Sequence, residues 1–350
     1  MKEIAKFYKG KKVFITGATG FKGSWLSYIL KNFGSKVYSY SLKPHTKPSN
    51  FNLLKLDKKI NCIYKDVRDK KVLQRALKTI DPDIIFHLAA QPLVKKSYKE
   101  PLTTFETNIN GTINILESSR SLKKLKSLVI ITSDKCYKNV EKKNGYSETD
   151  ELGGIDPYSA SKAAAENVCF SYLKSFYMKK KIGFVTARAG NVIGGGDWSE
   201  DRIIPDFIKS IKNNKKFYVR SPNAVRPWQH IFDLCYGYLL LGKRSYGNSN
   251  FNGSWNFGPN KKNTCRVIEI IKAIDKNINS KKKMIIKKNK SLKETKILIL
   301  KSEKSKKILN WKMKFTIHKS LLKTSEWYNC YLKNEDIRKL SYKQFSEYFL

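Results

Sequence analysis

The chain has 350 residues, with 70 Lys or Arg against 29 Asp or Glu and a formal net charge of +41 at pH 7. Hydrophobic residues make up 41% and aromatics 12%, which excludes a disordered polyelectrolyte and suffices for a large core in two lobes. Of the basic residues 60 are lysine and 10 arginine. A scattered lysine excess without arginine forks points to compositional bias rather than a dedicated nucleic-acid site.

No apolar run reaches the roughly 18 residues of a membrane span, and the N-terminal stretch Met1 to Tyr8 is too short and polar for a signal peptide. Cys62, Cys136, Cys169, Cys235, Cys265 and Cys330 are scattered without a Cys-x-x-Cys pair. They read as reduced thiols of a cytoplasmic protein, with neither a disulfide frame nor a metal site.

The run Lys11 to Gly17 predicts a buried strand, Gly17-Ala-Thr-Gly20-Phe-Lys-Gly23 a turn, and Ser24 to Leu30 a helix. Gly17 suits a tight turn, Gly20 a close approach to a pyrophosphate, and Gly23 a helix lying close on its strand. Lys36 to Ser41 is the second strand; Ser41 stands where an acid often grips the adenosine ribose, so the residues alone do not separate NAD from NADP. Ile60 to Tyr64 is the third strand. After it, Asp66 is a candidate acceptor for an adenine amino group, and Asp69 a helix cap. Asp83 to Leu88 is the fourth, ending in Ala89, Ala90 and Gln91, with His87 as a packed, hydrogen-bonded residue.

Residues 99–119 predict a helix holding Asn108 and Asn110 near its middle, and Ser127 to Thr132 a fifth strand running into Ser133, Asp134 and Lys135. A further helix opens at Pro157, capped by Asp156, and places Tyr158 and Lys162 four apart on one face. An ammonium beside a phenol lowers its pKa from about 10 and makes it a proton acceptor. Ile182 to Arg188 is the sixth strand. Strands alternating with helices predict an α/β, doubly wound parallel Rossmann sheet over 1–190, with ligands beyond the carboxyl ends of its strands. Beyond 190 the alternation lapses, and 191–350 reads mainly as a smaller C-terminal substrate-binding lobe, with chain crossing back between lobes. It holds Asn191, His230 and three arginines (Arg202, Arg220 and Arg226) whose forks suit a diphosphate. A helix is expected over Asp233 to Leu241 and another over Leu321 to Leu332; the tail from 267 carries no assignable chemistry.

The glycine motif with Tyr158-x-x-x-Lys162 resembles the extended short-chain dehydrogenase/reductase superfamily. Within it, Thr16 to Leu26, His87 to Val94, Thr132 to Tyr137, Ala187 to Trp198 and Arg226 to His230 resemble the CDP-glucose 4,6-dehydratases, over residues 7–330. The resemblance implies an NAD site on Gly17, Thr19, Gly20, Phe21, Lys22, Gly23, Ser41, Asp66, Val67, Leu88, Ala89, Ala90, Gln91, Asn108, Tyr158 and Lys162. It implies substrate contacts at Gln91, Asn191, Arg202, Arg220, Arg226 and His230, and no metal.

The implied reaction is an internal redox cycle on a nucleotide-linked glucose. Tyr158 takes the C4 hydroxyl proton while hydride passes to NAD, and Lys162 lowers the Tyr158 pKa and holds the nicotinamide ribose. The C4 ketone acidifies C5, water leaves across C5–C6, and hydride returns to C6. Ser133 would bond the C4 oxygen, Asp134 protonate the leaving hydroxyl and Lys135 act as the C5 base, with an exchange of the last two duties left open. Relatives acting on dTDP-glucose carry Glu at the Lys135 position. Ala18 replaces a histidine common in relatives, Lys95-Lys96 an arginine, and Ser41 implies a looser hold on NAD. The alternatives are another nucleotide-sugar 4,6-dehydratase, a 4-epimerase, and a non-catalytic basic Rossmann protein that binds RNA or a partner. Relatives are homodimers or homotetramers, and the aromatics Phe170, Tyr172, Phe176 and Tyr177 around the helix from Pro157 fit packing on both a sheet and a partner.

Overall fold

The computed structural model describes residues 1–219, 221–259, 263–282, 284–286 and 297–350. Six short apolar runs in the first half form β1 (Lys12–Thr16), β2 (Lys36–Ser41), β3 (Asn61–Tyr64), β4 (Ile84–His87), β5 (Ser127–Ile131) and β6 (Gly183–Ala189). Strands β7 (Asn191–Ile193), β8 (Phe217–Val219), β9 (Val225–His230), β10 (Gly253–Phe257), β11 (Thr264–Arg266) and β12 (Met284–Ile286) follow. The main sheet has seven strands in the order β10-β6-β5-β4-β1-β2-β3, and every neighbouring pair is parallel.

Side chains of β1 show why these strands read as near-continuous apolar runs. Val13 and Ile15 enter the core shared with Trp25, Leu26 and Ile29, while Phe14 enters the opposite one with Leu73, Leu77 and Ile115. Both faces of a parallel sheet are covered by crossover helices, so both need apolar residues. The doubly wound sheet expected from the alternation is therefore present. Its seventh strand, β10, comes from well beyond residue 190 and lies beside β6 with Trp255 opposite Ala187. A three-stranded sheet (β11-β9-β7) and a two-stranded one (β12-β8) stand apart from it.

Element boundaries differ from expectation where local chemistry intervenes. The helix expected over 99–119 begins at Pro101, after a separate helix Val94–Lys99, and runs as Pro101–Phe105, a wide π turn at Glu106–Asn110 and Gly111–Ser119. Glu100 leaves the helical region at φ −130° because it precedes Pro101. The helix at Pro157 opens as expected: Asp156 accepts from Ser159 N at 2.9 Å and Pro157 occupies the first turn. It runs to Tyr172 and widens into a π turn at Leu173–Tyr177. Arg220 lies outside the described residues.

The last part of the tail forms the helices Ile317–Leu332 and Ile337–Phe349. A methyl on Gly195 would meet Trp327 Cγ at 2.0 Å, Trp25 Nε1 donates to Gly195 O at 2.8 Å, and the Tyr328 hydroxyl donates to Asp197 O at 2.7 Å. The tail thus braces the loop after β7. Among the described residues no helix is long and apolar enough to cross a membrane.

Candidate active site

The carboxyl ends of β1, β4, β5 and β6 meet the glycine turn, the Pro157 helix and the loop after β7. Gly17 has φ +72°, a region open to glycine, and a methyl on it would fall 2.6 Å from Ala89 N. A methyl on Gly23 would fall 2.2 Å from Gly17 O, whereas one on Gly20 would meet only Gly17 O at 3.5 Å. The backbone is therefore pinched at Gly17 and Gly23 and open above Gly20, where the helix Phe21–Asn32 begins. The amides of Phe21, Lys22 and Gly23 lie in a first turn that supplies them no carbonyl partner. This cradle fits a dinucleotide pyrophosphate.

Around the cradle, several expected contacts turn out to build it. The Ser41 hydroxyl accepts from Ala18 N at 2.7 Å and is 4% exposed. It shapes the glycine turn and is no substitute for a ribose-gripping acid. Thr19 Oγ1 donates to Leu42 O at 3.0 Å. Thr16 Oγ1 accepts from Leu88 N and Ala89 N, both at 3.1 Å, setting a half-exposed floor that continues to Ala90. Asn108 Oδ1 accepts from Gln91 N at 2.8 Å and its amide donates to Ser161 Oγ at 2.8 Å. The Gln91 side chain in turn donates to Thr104 Oγ1 and Leu93 O and accepts from Leu93 N. After β3, Asp66 accepts from Arg68 through both oxygens, Val67 packs where a methyl on Gly111 would stand, and Asp69 caps the next helix through Val72 N.

His87 is packed as expected. It meets Thr16 Oγ1 at 2.7 Å and Thr112 Oγ1 at 3.3 Å, and burial, aided by the Lys162 charge, pushes its pKa down to about 3.

Tyr158 and Lys162 are 8% and 5% exposed. Burial holds the Tyr158 phenol above its ordinary value, and the Ser133 hydroxyl and Arg202 guanidinium pull the other way. The sequence predicts a phenol pKa lowered by Lys162; in this enclosed site desolvation of the phenolate dominates and the net shift is upward. Lys162 is itself pushed down to about 8 by burial and by Lys22, against the opposing Glu166 charge. Lys22 falls to about 8 as well, through burial and Arg202.

Facing them, Asp134–Cys136 forms a single tight turn capped by Ser133. The Ser133 hydroxyl donates to Asp134 Oδ1 at 3.0 Å and accepts from Lys135 N at 3.3 Å. Burial raises the Asp134 carboxyl despite the opposing charges of Lys135 and Lys22. A raised carboxyl pKa favours the protonated form, from which a proton can be given. Lys135 is half-buried beside it. The structure thus brings together Ser133, Asp134, Tyr158, Lys162, Lys22 and Arg202.

It does not bring His230 there. His230 is 1% exposed, accepts from Phe232 N through Nδ1 at 3.2 Å, and packs its ring against Phe232 and Phe315. Walled in this way it caps the helix Ile231–Arg244, a correction to its expected substrate contact. Arg226 lines a cavity of about 630 Å³ with Val225, Pro227, Thr264, Ile297 and Ile299, and Asn191 opens β7 opposite Trp228. Sequence reasoning missed Glu166 and Thr132, although Glu166 lies one helical turn beyond Lys162.

A dinucleotide cradle on a doubly wound sheet, closed by a buried Tyr-x-x-x-Lys helix, defines an enzyme of the extended short-chain dehydrogenase/reductase type. The family model described as GDP-mannose 4,6 dehydratase matches residues 14–324, and the chain belongs to that family of nucleotide-sugar 4,6-dehydratases, which are hydro-lyases. It is 38% identical to the CDP-glucose 4,6-dehydratase of Salmonella typhimurium over 98% of this chain and 97% of that one. The UDP-glucose 4-epimerase of Mycoplasma pneumoniae is 26% identical, covering 89% of this chain and 94% of its own. The dTDP-glucose 4,6-dehydratase of Streptomyces venezuelae, solved with NAD bound, shares the fold with a TM-score of 0.77 at 21% identity, over 91% of this chain and 96% of its own.

Proposed function

We propose that the protein converts CDP-glucose to CDP-4-keto-6-deoxyglucose and water with NAD as a recycled cofactor. The observation that carries this reading is the Ser133–Asp134–Lys135 turn, whose buried Ser133 and Asp134 face Tyr158 with the half-buried Lys135 beside them. A 4-epimerase needs only the Tyr–Lys pair and a hydroxyl, which would leave Asp134 and Lys135 without a task. The CDP base follows the 38% identical relative.

In this mechanism Ser133 orients the sugar's C4 oxygen and Tyr158 accepts the C4 hydroxyl proton. The Lys162 ammonium, enclosed with the phenol, stabilises its anion and grips the cofactor ribose. NAD, when bound in the Gly17–Gly23 cradle, supplies the acceptor and later the donor of hydride. Oxidation at C4 makes the C5 proton acidic, Lys135 removes it, and Asp134, its pKa raised by burial, protonates the departing C6 hydroxyl. Arg202, beside Lys22 and Tyr158, and Arg226, on its cavity wall, take the diphosphate and nucleoside end; Asn191 and Gln91 line the sugar's approach.

The reading extends to context. The product suits dideoxy-sugar assembly for bacterial surface polysaccharide in the cytoplasm. Phe170 and Phe176 on the Pro157 helix and Leu102 on Pro101–Phe105 are 63%, 40% and 70% exposed, which supports a homodimer or homotetramer built on this face. Light scattering at micromolar concentration checks this, a monomer mass counting against it.

Incubating the NAD-loaded enzyme with CDP-, dTDP-, GDP- and UDP-sugars in heavy water tests the reaction. One deuterium at C5 of a 4-keto-6-deoxy product from CDP-glucose is expected. Inversion at C4 without water loss would replace the reading with an epimerase, and steeply salt-dependent RNA binding without turnover would replace it with a binding protein.

A further inference from the structure

We propose that the buried Glu166–Arg188 ion pair is the positioning unit of the active site, locking the Tyr158–Lys162 helix to the turn that carries Ser133, Asp134 and Lys135. The proposal rests on the roles given to those residues above. The two halves of the site come from different elements, and the segment between them, 137–156, is a long loop with no helix or strand. Backbone bonds such as Gly153 N to Cys136 O at 2.8 Å tie this loop to the turn, and buried side chains tie the turn to the helix.

Glu166 Oε1 accepts from Thr132 Oγ1 at 2.5 Å, and Thr132 is the residue directly before Ser133. Glu166 Oε2 accepts from Arg188 Nη2 and Thr186 Oγ1, each at 2.8 Å. On its other side Arg188 Nη1 donates at 2.8 Å to the hydroxyl of Tyr137, the residue directly after the Asp134–Cys136 turn. The Tyr137 hydroxyl passes the contact on to Asn256 Oδ1 at 2.8 Å, and the guanidinium stands 5.0 Å from the Tyr137 ring centre. One carboxylate thus holds the front of the catalytic turn, its partner holds the back, and the carboxylate stands on the catalytic helix itself.

Stability alone does not call for such a pair. Side chains of Arg188 and Glu166 are 4% and 2% exposed, and apolar residues of equal volume commonly do as well as a buried ion pair. Arg188 Nε is also buried without a hydrogen-bond partner. What apolar residues could not supply is a fixed direction at five partners, namely Thr132, Thr186, Tyr137, Ser254 and the Glu148 carbonyl.

The charge acts on the same helix. Lys162 faces Lys22 from the glycine helix, Cys136 from the catalytic turn, His87 from β4, and Glu166 and Cys169 from its own helix. Burial and Lys22 lower its pKa, and Glu166 opposes them. Removing the Glu166 charge lowers the pKa of Lys162 further, so the ammonium is lost at lower pH.

The test uses the full-length NAD-loaded enzyme with CDP-glucose and the variants Glu166→Gln, Thr132→Val, Thr132→Ser and Tyr158→Phe, each with a melting curve. Glu166→Gln and Thr132→Val are expected to lower kcat on the order of tenfold to a hundredfold, with KM within about threefold. Thr132→Ser restores kcat, and only Glu166→Gln moves the alkaline limb of the pH profile to lower pH. Wild-type kcat and pH profile in a cooperatively melting Glu166→Gln, or wild-type kcat in Thr132→Val, overturns the proposal. If Glu166→Gln fails to fold, Thr132→Val decides alone, since it removes one hydroxyl and no charge. Turnover by Tyr158→Phe would instead overturn the site assignment on which the proposal rests.

Discussion

Trp327 lies against the backbone of Gly195, leaving no room for even a methyl group at that glycine. The tryptophan belongs to the tail and the glycine to the loop that leads to Arg202. Trp198, on the same loop, packs its ring on Trp327, Tyr328 and Tyr331. A segment with no readable chemistry therefore sets the wall behind the loop that carries Arg202, a proposed substrate contact.

Trp327→Ala should make that wall slack. The fully buried ring leaves a cavity whose opening destabilises by about 3–5 kcal/mol, so a drop in melting temperature is expected together with a rise in KM for CDP-glucose. Melting curves and steady-state kinetics on the same preparation check both; a lower melting temperature with unchanged KM would confine the tail to stability.

Gly17→Ala should abolish cofactor retention. The left-handed φ is costly for alanine, on the order of 1 kcal/mol, and the methyl collides with Ala89 N. The floor at Ala89 must move, so titration of the variant with NAD by calorimetry should show little or no binding, while the circular dichroism spectrum stays that of an α/β protein.

Asp134→Asn separates proton removal from proton delivery. Loss of a general acid lowers kcat by about 10²–10⁴, yet Lys135 is still present, so C5 should exchange with heavy water in unreacted sugar recovered from the assay. Because burial raises the Asp134 pKa, the protonated acid is lost as pH rises through that raised value. The corresponding fall in wild-type kcat should be missing from the variant; absence of C5 exchange would assign the base role to Asp134.

Asp233 gives a stability test. Its Oδ1 accepts from the Tyr348 hydroxyl at 2.5 Å and from Lys314 N at 2.7 Å, and burial, against those hydrogen bonds, pushes its pKa up to about 6. An unfolded aspartate titrates near 4. A folded pKa above the unfolded one means that this group favours the fold most below about 4, and that the contribution is lost as pH rises to about 6. Compared with Asp233→Asn, the wild type should gain in melting temperature between pH 7 and pH 4; a pH-independent difference would show that Asp233 does not titrate there.

The redox half of the site was legible because its parts are local. Lys36–Ser41 has the strand limits read from the sequence, and the Asp156–Pro157 cap places Tyr158 and Lys162 by helical spacing alone. His87 was legible too, since a histidine inside an apolar strand has few other fates. What escaped depends on distant chain. Ser41 takes a bond from Ala18 N that no spacing shows, and His230 resembles a ligand until Phe315 closes over it. The Tyr158 pKa also went against expectation, because spacing shows the cation but not the depth of burial.

Strand β10 has a bearing on how the chain is made and cut. Until Gly253–Phe257 arrives, β6 is the open edge of the sheet, and all seven of its residues are buried in the finished protein. An unpaired apolar edge is a template for aggregation. A fragment ending near residue 190 should precipitate or need a chaperone, whereas one carried past Phe257 covers the edge with its own strand.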